Sequence, residues 1–446
     1  MKTFPLLTIS SLALCPAALA QISHPPSAWL DFRDRSAALL VSDPSLGYDL
    51  LTAGSEVGQE SESDMIEADL DRDGDLDVAV VRMGTYGPGS ERTAILLMQE
   101  GVRLVDRTRT LAPDFFTNPT SARDVQACDV NGDGWLDLVV ANTNGYDPDL
   151  YLNLRSIGGV WQGLALQGDW FETEQGNHSF NEDTPANPAS TCGLGCKDLN
   201  MDGHPDIFLG NYGTGLGTKD NRLLINDGTG YFVEETSLRL TGPGQDEFTT
   251  GVDIYDHDLD GWNDIVVSDV TIGASLYLND GTGKFPTRTT AASGAQHYMG
   301  GAADFNGDGY IDGYGVGDNE DRTRINDQNG SFFAPVDVVN SNVSCLQCRG
   351  SNVKPYDLDN DGDLDMLVAD LDSADFIGGC DDGLNIALLR NRYVDPSTPV
   401  FDEPNWANPQ IWHDDVWDFV CIDLNGDGLL DLVYATCEGL RVYVQK

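Results

Sequence analysis

Positive charge is scarce in this chain: 25 Lys and Arg stand against 73 Asp and Glu, for a formal net charge of -48. So acidic a surface repels nucleic acid and anionic lipid, and neither is expected as a partner. Histidine is also thin, with six residues, and His204 and His257 fall inside acidic loops where no catalytic role is needed. H-E-x-x-H, G-x-S-x-G and P-loop motifs are all missing, which removes the common signatures of zinc proteases, α/β-hydrolases and P-loop enzymes. The CLQC at 345–348 is followed by Arg349 rather than His, so no c-type haem site is indicated. Beyond the first twenty residues no apolar run is long enough to span a bilayer.

Those first twenty, MKTFPLLTISSLALCPAALA, carry one basic residue, an apolar stretch and a small-residue end at Ala18-Leu19-Ala20. That is the pattern of a cleaved secretory signal, with the mature chain starting at Gln21. The expected location is secreted, periplasmic or at the cell surface, where disulfides persist.

What the chain has in abundance is one acidic loop. D-x-[DN]-x-D-G-x-x-D recurs seven times, over 69–77, 129–137, 198–206, 256–264, 304–312, 357–365 and 423–431. A hard cation with six to eight oxygen ligands fits acids at positions 1, 3, 5 and 9, with glycine at 6 for the turn and a backbone carbonyl at 7. The expected ligands are Asp69, Asp71, Asp73 and Asp77; Asp129, Asn131, Asp133 and Asp137; Asp198, Asn200, Asp202 and Asp206; and Asp256, Asp258, Asp260 and Asp264. The other three loops supply Asp304, Asn306, Asp308 and Asp312; Asp357, Asp359, Asp361 and Asp365; and Asp423, Asn425, Asp427 and Asp431. Up to seven Ca²⁺ are expected, with a structural role. Mg²⁺ is the poorer candidate because it demands tight octahedral geometry and keeps its waters. Asn at position 3 should weaken four of the sites.

Apolar β-rich runs follow the loops, as in DVAVV (77–81), DLVVA (137–141), DIFLG (206–210) and DIVVS (264–268). A third strand then enters an Asn-Asp-Gly turn, clearest in LLINDGTGYF (223–232) and LYLNDGTGKF (276–285). The repeat is thus a four-stranded antiparallel sheet, and seven in a row predict an all-β, seven-bladed β-propeller over residues 21–446. The last repeat stops at its third strand, LRVYV (440–444), while a spare fourth strand lies in AWLDFRDRSAAL (28–39). Its Asp34-Arg35-Ser36 echoes Asp106-Arg107-Thr108 after the fourth strand of the first repeat. The N-terminal strand is therefore expected to close the ring.

These loops and turns resemble the FG-GAP and VCBS repeat proteins, whose best-known relatives are the integrin alpha-chain propellers. The resemblance implies calcium in the loops and a partner bound on the face away from it.

Strand alternation puts the acidic loops and the NDGTG turns, whose lengths barely vary, on one face. The long connections at 84–91, 165–189, 212–221, 371–383 and 391–415 fall on the other. Tyr86, Trp170, Phe171, Tyr212, Phe376, Trp406 and Trp412 gather there, which suits a protein or carbohydrate ligand or, for any one residue, the pinning of a loop onto a blade. The favoured function is a monomeric binding or adhesion module; the alternative is a secreted polysaccharide-degrading glycosidase or lyase. Eight cysteines remain after cleavage. Local pairs are expected for Cys192 with Cys196 and for Cys345 with Cys348, and Cys380 is expected to bond Cys437. Cys128 and Cys421 read as buried thiols.

Overall fold

In the computed structural model each repeat folds as a small antiparallel sheet, and seven sheets form a ring. The structure describes residues 30–45, 49–51, 63–83, 94–116, 118, 121–143, 145–180, 190–212, 219–241, 246–270, 272–290, 299–316, 322–326, 328, 337–339, 348–372, 386–391, 401–402, 416–436 and 439–446. Blade one runs Ser63–Ala68, Asp77–Arg82, Ala94–Glu100 and Arg103–Asp106, each strand antiparallel to the one before. The innermost strands of successive blades touch all the way round, and Val416–Ile422 of blade seven meets Ser63–Ala68 of blade one.

A blade has no solvent face, because each side of its sheet is covered by a neighbour. Its second strand therefore reads as a continuous apolar run, and all six residues are buried in DVAVVR, DLVVAN, DIFLGN, DIVVSD and DLVYAT. Most apolar clusters lie between blades. One joins Val78, Val80, Ile95 and Leu97 to Val420, Val433 and Val442 across the closing seam.

The closure expected from the sequence is present. Phe32–Asp34 pairs with Leu440–Gln445 of blade seven, with Phe32 opposite Gln445 and Asp34 opposite Tyr443. After it, Ser36–Leu39 makes one helical turn, as do Thr108–Leu111 and Thr236–Arg239 after the fourth strands of blades one and three. The hydroxyl opening each turn accepts the N–H of a third-strand residue: Val442 to Ser36, Leu96 to Thr108 and Leu223 to Thr236, at 2.8 to 3.0 Å. The Asp-Arg-Ser and Asp-Arg-Thr echoes are thus one device for sealing a blade's outer edge. Beyond the turn, Leu40–Val41 adds a parallel fifth strand to blade one.

Three expectations need correction. Cys196 bonds Cys128, not Cys192. CGLGC lies within the extended strand Thr191–Lys197, where four residues span about 13 Å; Cys128 ends the first strand of the adjacent blade, with its Cα 6.5 Å away. Cys128 is therefore not a free thiol, whereas Cys421 is one and is buried. Secondly, the turns on the acidic-loop face do vary. Blade one has only Gly101-Val102 between its third and fourth strands, and blade two inserts a hairpin of Ser156–Ile157 and Val160–Trp161. Thirdly, Trp170 and Phe171 are not open to a ligand. Phe171–Glu172 forms a parallel fifth strand on the outer edge of blade three, where both rings are buried beside Phe232 and Phe180. The side chains of Cys345, Cys348, Cys380 and Cys437 lie outside the described residues.

Removing the Phe32 ring, fully buried against blades six and seven, should test the closure. Phe32→Ala is expected to cost about 3 kcal/mol in urea unfolding; a loss under about 1 kcal/mol would mean that this strand does not hold the ring.

Candidate functional site

Each acidic loop joins the first strand of a blade to its second, and two residues per loop adopt left-handed backbone. Glycine at position 6 has φ of 85 to 99° throughout (Gly74, Gly134, Gly203, Gly261, Gly309, Gly362, Gly428). Position 4 is left-handed as well, even where it is Arg72, Met201, Leu259 or Asn360. These turns point the loop's N–H groups inward at its own carboxylates. In six loops the position-1 Asp accepts the N–H groups of positions 5 and 6, as Asp256 does from Asp260 and Gly261 at 3.0 and 2.8 Å. Where Asn replaces Asp at position 3, the Oδ1 of Asn131, Asn200 and Asn306 takes the same inward N–H that Asp258 takes.

The result is a knot of oxygens. In the three all-Asp loops, carboxylate oxygens of Asp69, Asp71 and Asp73, of Asp256, Asp258 and Asp260, and of Asp357, Asp359 and Asp361 lie within 4.8 Å of one another. Asp69 Oδ1 is buried with no hydrogen-bond partner.

Position 9 does something further. Asp77, Asp137, Asp206, Asp264, Asp312, Asp365 and Asp431 are 0 to 1% exposed. One oxygen of each accepts the position-2 N–H of its own loop at 2.9 to 3.2 Å. The other accepts the N–H that ends the blade's third strand, at 2.7 to 3.0 Å. Each of these oxygens keeps a second lone pair for a cation. Among the described residues no Lys or Arg pairs with any of the seven. Burial raises all of them, Asp77 to about 8 and Asp431 to about 6. Converging oxygens, an orphaned buried acceptor and buried carboxylates without protein cations together fit a hard, oxygen-seeking divalent cation.

Profiles of the FG-GAP-like repeat match residues 69–140, 198–267, 256–314 and 304–368, more than half of the chain, and the FG-GAP repeat matches 121–161. The chain belongs to the FG-GAP repeat family. No curated protein matches its sequence. Among solved structures it is similar to an Agrocybe aegerita lectin described as recognising non-reducing terminal N-acetylglucosamine. That pair shares 20% identity over 62% of this chain and 65% of the other, with a TM-score of 0.41; the chain thus spans just under two thirds of the lectin's length. It is also similar to BBS1N in complex with ARL6DN, in a mercury soak at 9% identity and a TM-score of 0.45 and in a lead soak at 11% and 0.42. Both matches cover 89% of this chain and 94% of the other.

The FG-GAP ring has a second polar cluster, which the sequence reading missed, where the first strands line the channel. Five residues before the acidic loops of blades seven, one and two stand Asp418, Asp64 and Asp124. Each accepts an N–H from the first strand of the following blade: Met65, Val125 and Leu194, at 2.6, 2.8 and 2.7 Å. A β-bulge just before Asp124 and Asp418 re-aims both side chains. The cation Lys354 reaches from blade six to Asp418 Oδ2, Met65 O and Phe419 O at 2.9, 2.8 and 3.0 Å. Burial pushes the Asp418 carboxyl well above the usual carboxylate range, with Lys354 opposing the shift and the nearby Asp64 adding to it. Burial, and then the neighbouring Asp124, raise Asp64 to about 7. Across the channel, burial alone raises Asp253 to about 7.

Of the aromatics expected on the long-loop face, Trp170 and Phe171 line a blade edge, and Tyr212 packs edge-on against Phe248. Tyr86, Phe376, Trp406 and Trp412 lie outside the described residues. Among the described residues no helix is long and apolar enough to cross a membrane.

Two outcomes follow from these sites. Asp206→Asn puts an amide where two backbone N–H groups need acceptors, so it should cost about 1–3 kcal/mol in chelator as well as in calcium. Asp258→Asn, at a half-buried loop position, should cost stability only when calcium is present; equal costs in both media for both variants would contradict the division of roles. Asp253 is raised on folding, so the folded chain holds a proton that the unfolded chain has released. Its contribution is full below the ordinary carboxylate pKa near 4 and is lost as pH rises through 7. Because Asp253 keeps some water contact, about half of the full linkage applies. Between pH 5 and 8 the wild type should lose roughly 1 kcal/mol relative to Asp253→Asn in urea unfolding, and parallel pH profiles would refute the shift.

Proposed function

We propose that this FG-GAP propeller is an exported binding module, with calcium in the acidic loops as its frame and a protein or polysaccharide ligand on the opposite face. The general reading comes with the fold, since an FG-GAP propeller suggests a binding or adhesion module. The finer one is carried by the strand order. Alternating directions send every acidic loop to one face and every connection from a second to a third strand to the other.

The two faces differ as scaffold and recognition surface usually do. On one, each loop keeps the same nine-position frame. On the other, connections range from 270–272 in blade four to 373–385 in blade six. Length variation on a rigid support is where recognition concentrates. Bound calcium would supply the positive charge that the buried loop carboxylates lack, and if filled at about 100 times its dissociation constant each site would add roughly 2.7 kcal/mol. The leader at 1–20 supports an oxidising, calcium-rich setting, secreted, periplasmic or at the cell surface, and the Cys128–Cys196 bond agrees with it. We read the protein as a monomer. The glycosidase or lyase alternative has less support in the channel, where Asp64, Asp124 and Asp418 each hold a backbone N–H of the next blade.

Screening the mature chain in calcium against glycan and secreted-protein panels should yield a ligand whose binding disappears when residues 403–415 or 373–385, which lie between strands, are replaced by short Gly-Ser linkers, with melting unchanged. Blank panels, or binding that survives both replacements, would overturn the long-loop face as the site. Release of reducing sugar from the same glycans would favour the enzyme.

A further inference from the structure

Six of the seven seams between blades are latched in the same way on the acidic-loop face. The amide that ends a blade's third strand crosses to the position-2 carbonyl of the preceding loop: Asn153 to Leu70, Asn226 to Val130, Asn279 to Leu199, Asn326 to His257, Asn391 to Phe305 and Gln445 to Leu358, at 2.7 to 2.9 Å. In blades three and four the NDGTG turn also lies over the preceding loop. Gly230 sits on Asn131 and Gly283 on Asn200, so closely that a Cβ on Gly283 would come within 2.8 Å of Asn200 Cβ.

The seam between blades seven and one is built differently. The turn Gly101-Val102 is too short to reach over the blade-seven loop. Gln99, which occupies the latch position, turns back to donate its Nε2 to Gly101 O at 3.3 Å. A cleft of about 590 Å³ is left between the two acidic loops, lined by Asp75, Leu76, Gln99, Val102, Asp423 and Leu424 among others, none of them Lys or Arg. Gln99 is 9% exposed, and its Oε1 has no partner. Because Nε2 faces a carbonyl, the free amide atom must be the oxygen, an acceptor. Asp75 Oδ1 is likewise buried without a donor. Leu76 and Val102 give the cleft exposed apolar sides, at 37% and 49%.

We propose that this cleft is a socket for a lysine or arginine side chain of a partner polypeptide. Such a side chain has an apolar stem for the walls and a head that only donates hydrogen bonds, matching two acceptors that lack donors. An apolar side chain would leave Gln99 Oε1 buried and unpaired. An acidic one would meet Asp75 and Asp423. Position 7 of a cation loop lends its backbone carbonyl rather than its side chain, so calcium does not require the Asp75 carboxylate, which lies beside Asp73. The socket lies on the face opposite the long loops, so it and the ligand site proposed there can fail independently.

The test titrates the full chain, in calcium and about 0.15 M salt to screen its general acidic field, with Ac-Gly-Lys-Gly-NH2 and with the norleucine analogue, which keeps the stem and removes the charge. The lysine peptide should bind at least tenfold more tightly, and Gln99→Leu should weaken it about tenfold. Val102→Arg fills the socket from an exposed turn and should abolish binding without moving Tm, which keeps the test open if Gln99→Leu misfolds. Equal binding of the two peptides, binding of neither, or undiminished binding by Val102→Arg would overturn the proposal. Cadaverine binding as tightly as the lysine peptide would also overturn it, by marking a site for free amines.

Discussion

The architecture depends on a carboxylate buried at the ninth position of every acidic loop. Both of its oxygens hold backbone N–H groups, one from the loop and one from the end of the third strand. Three parts of a blade thus converge on one side chain, and the amide next to it reaches the preceding blade in six seams of seven. The same device places a charge out of water seven times, without a lysine or arginine beside it among the described residues. An uncompensated buried charge costs several kcal/mol, so the hydrogen bonds that define the blade create the demand that a loop cation would meet. The side-chain oxygens at positions 1, 3 and 5 stand where they could bring it.

The inner circumference is joined by other means, and unevenly. From blade seven to blade three, Asp418, Asp64 and Asp124 stitch one first strand to the next, with Lys354 as counter-charge. Between blades three and four, Gly193, Gly195 and Gly251 replace such side chains, and the strands approach so closely that a Cβ on Gly195 would lie 2.5 Å from Ile254 Cδ1. One arc of the ring is therefore held by polar bonds that answer to pH, and the seam between blades three and four by close packing. The outer rim adds the hydroxyl seals of Ser36, Thr108 and Thr236.

Features that live within nine consecutive residues were legible in the sequence. The loops, their glycines and the strands after them follow from local spacing, and the closing strand could be found because Asp34-Arg35-Ser36 repeats a local motif. What the sequence concealed depends on which blade lies next to which. Cys128 and Cys196 are 68 residues apart and meet only because first strands are neighbours in the ring. Trp170 and Phe171 sit in a long connection whose return along the rim of blade three leaves no periodic trace. The channel aspartates offered a signal in SDMIEA, RDVQAC and WDFVCI, an acid five residues before each loop, but an acid in so acidic a chain stands out only once its partner strand is known.

Cations as part of the fold are tested most directly by calorimetric melting of the chain with calcium and with excess EDTA. We predict a steep fall in Tm in EDTA that added calcium restores, with bound ions counted at up to seven per chain. Coincident melts in the two media would contradict it.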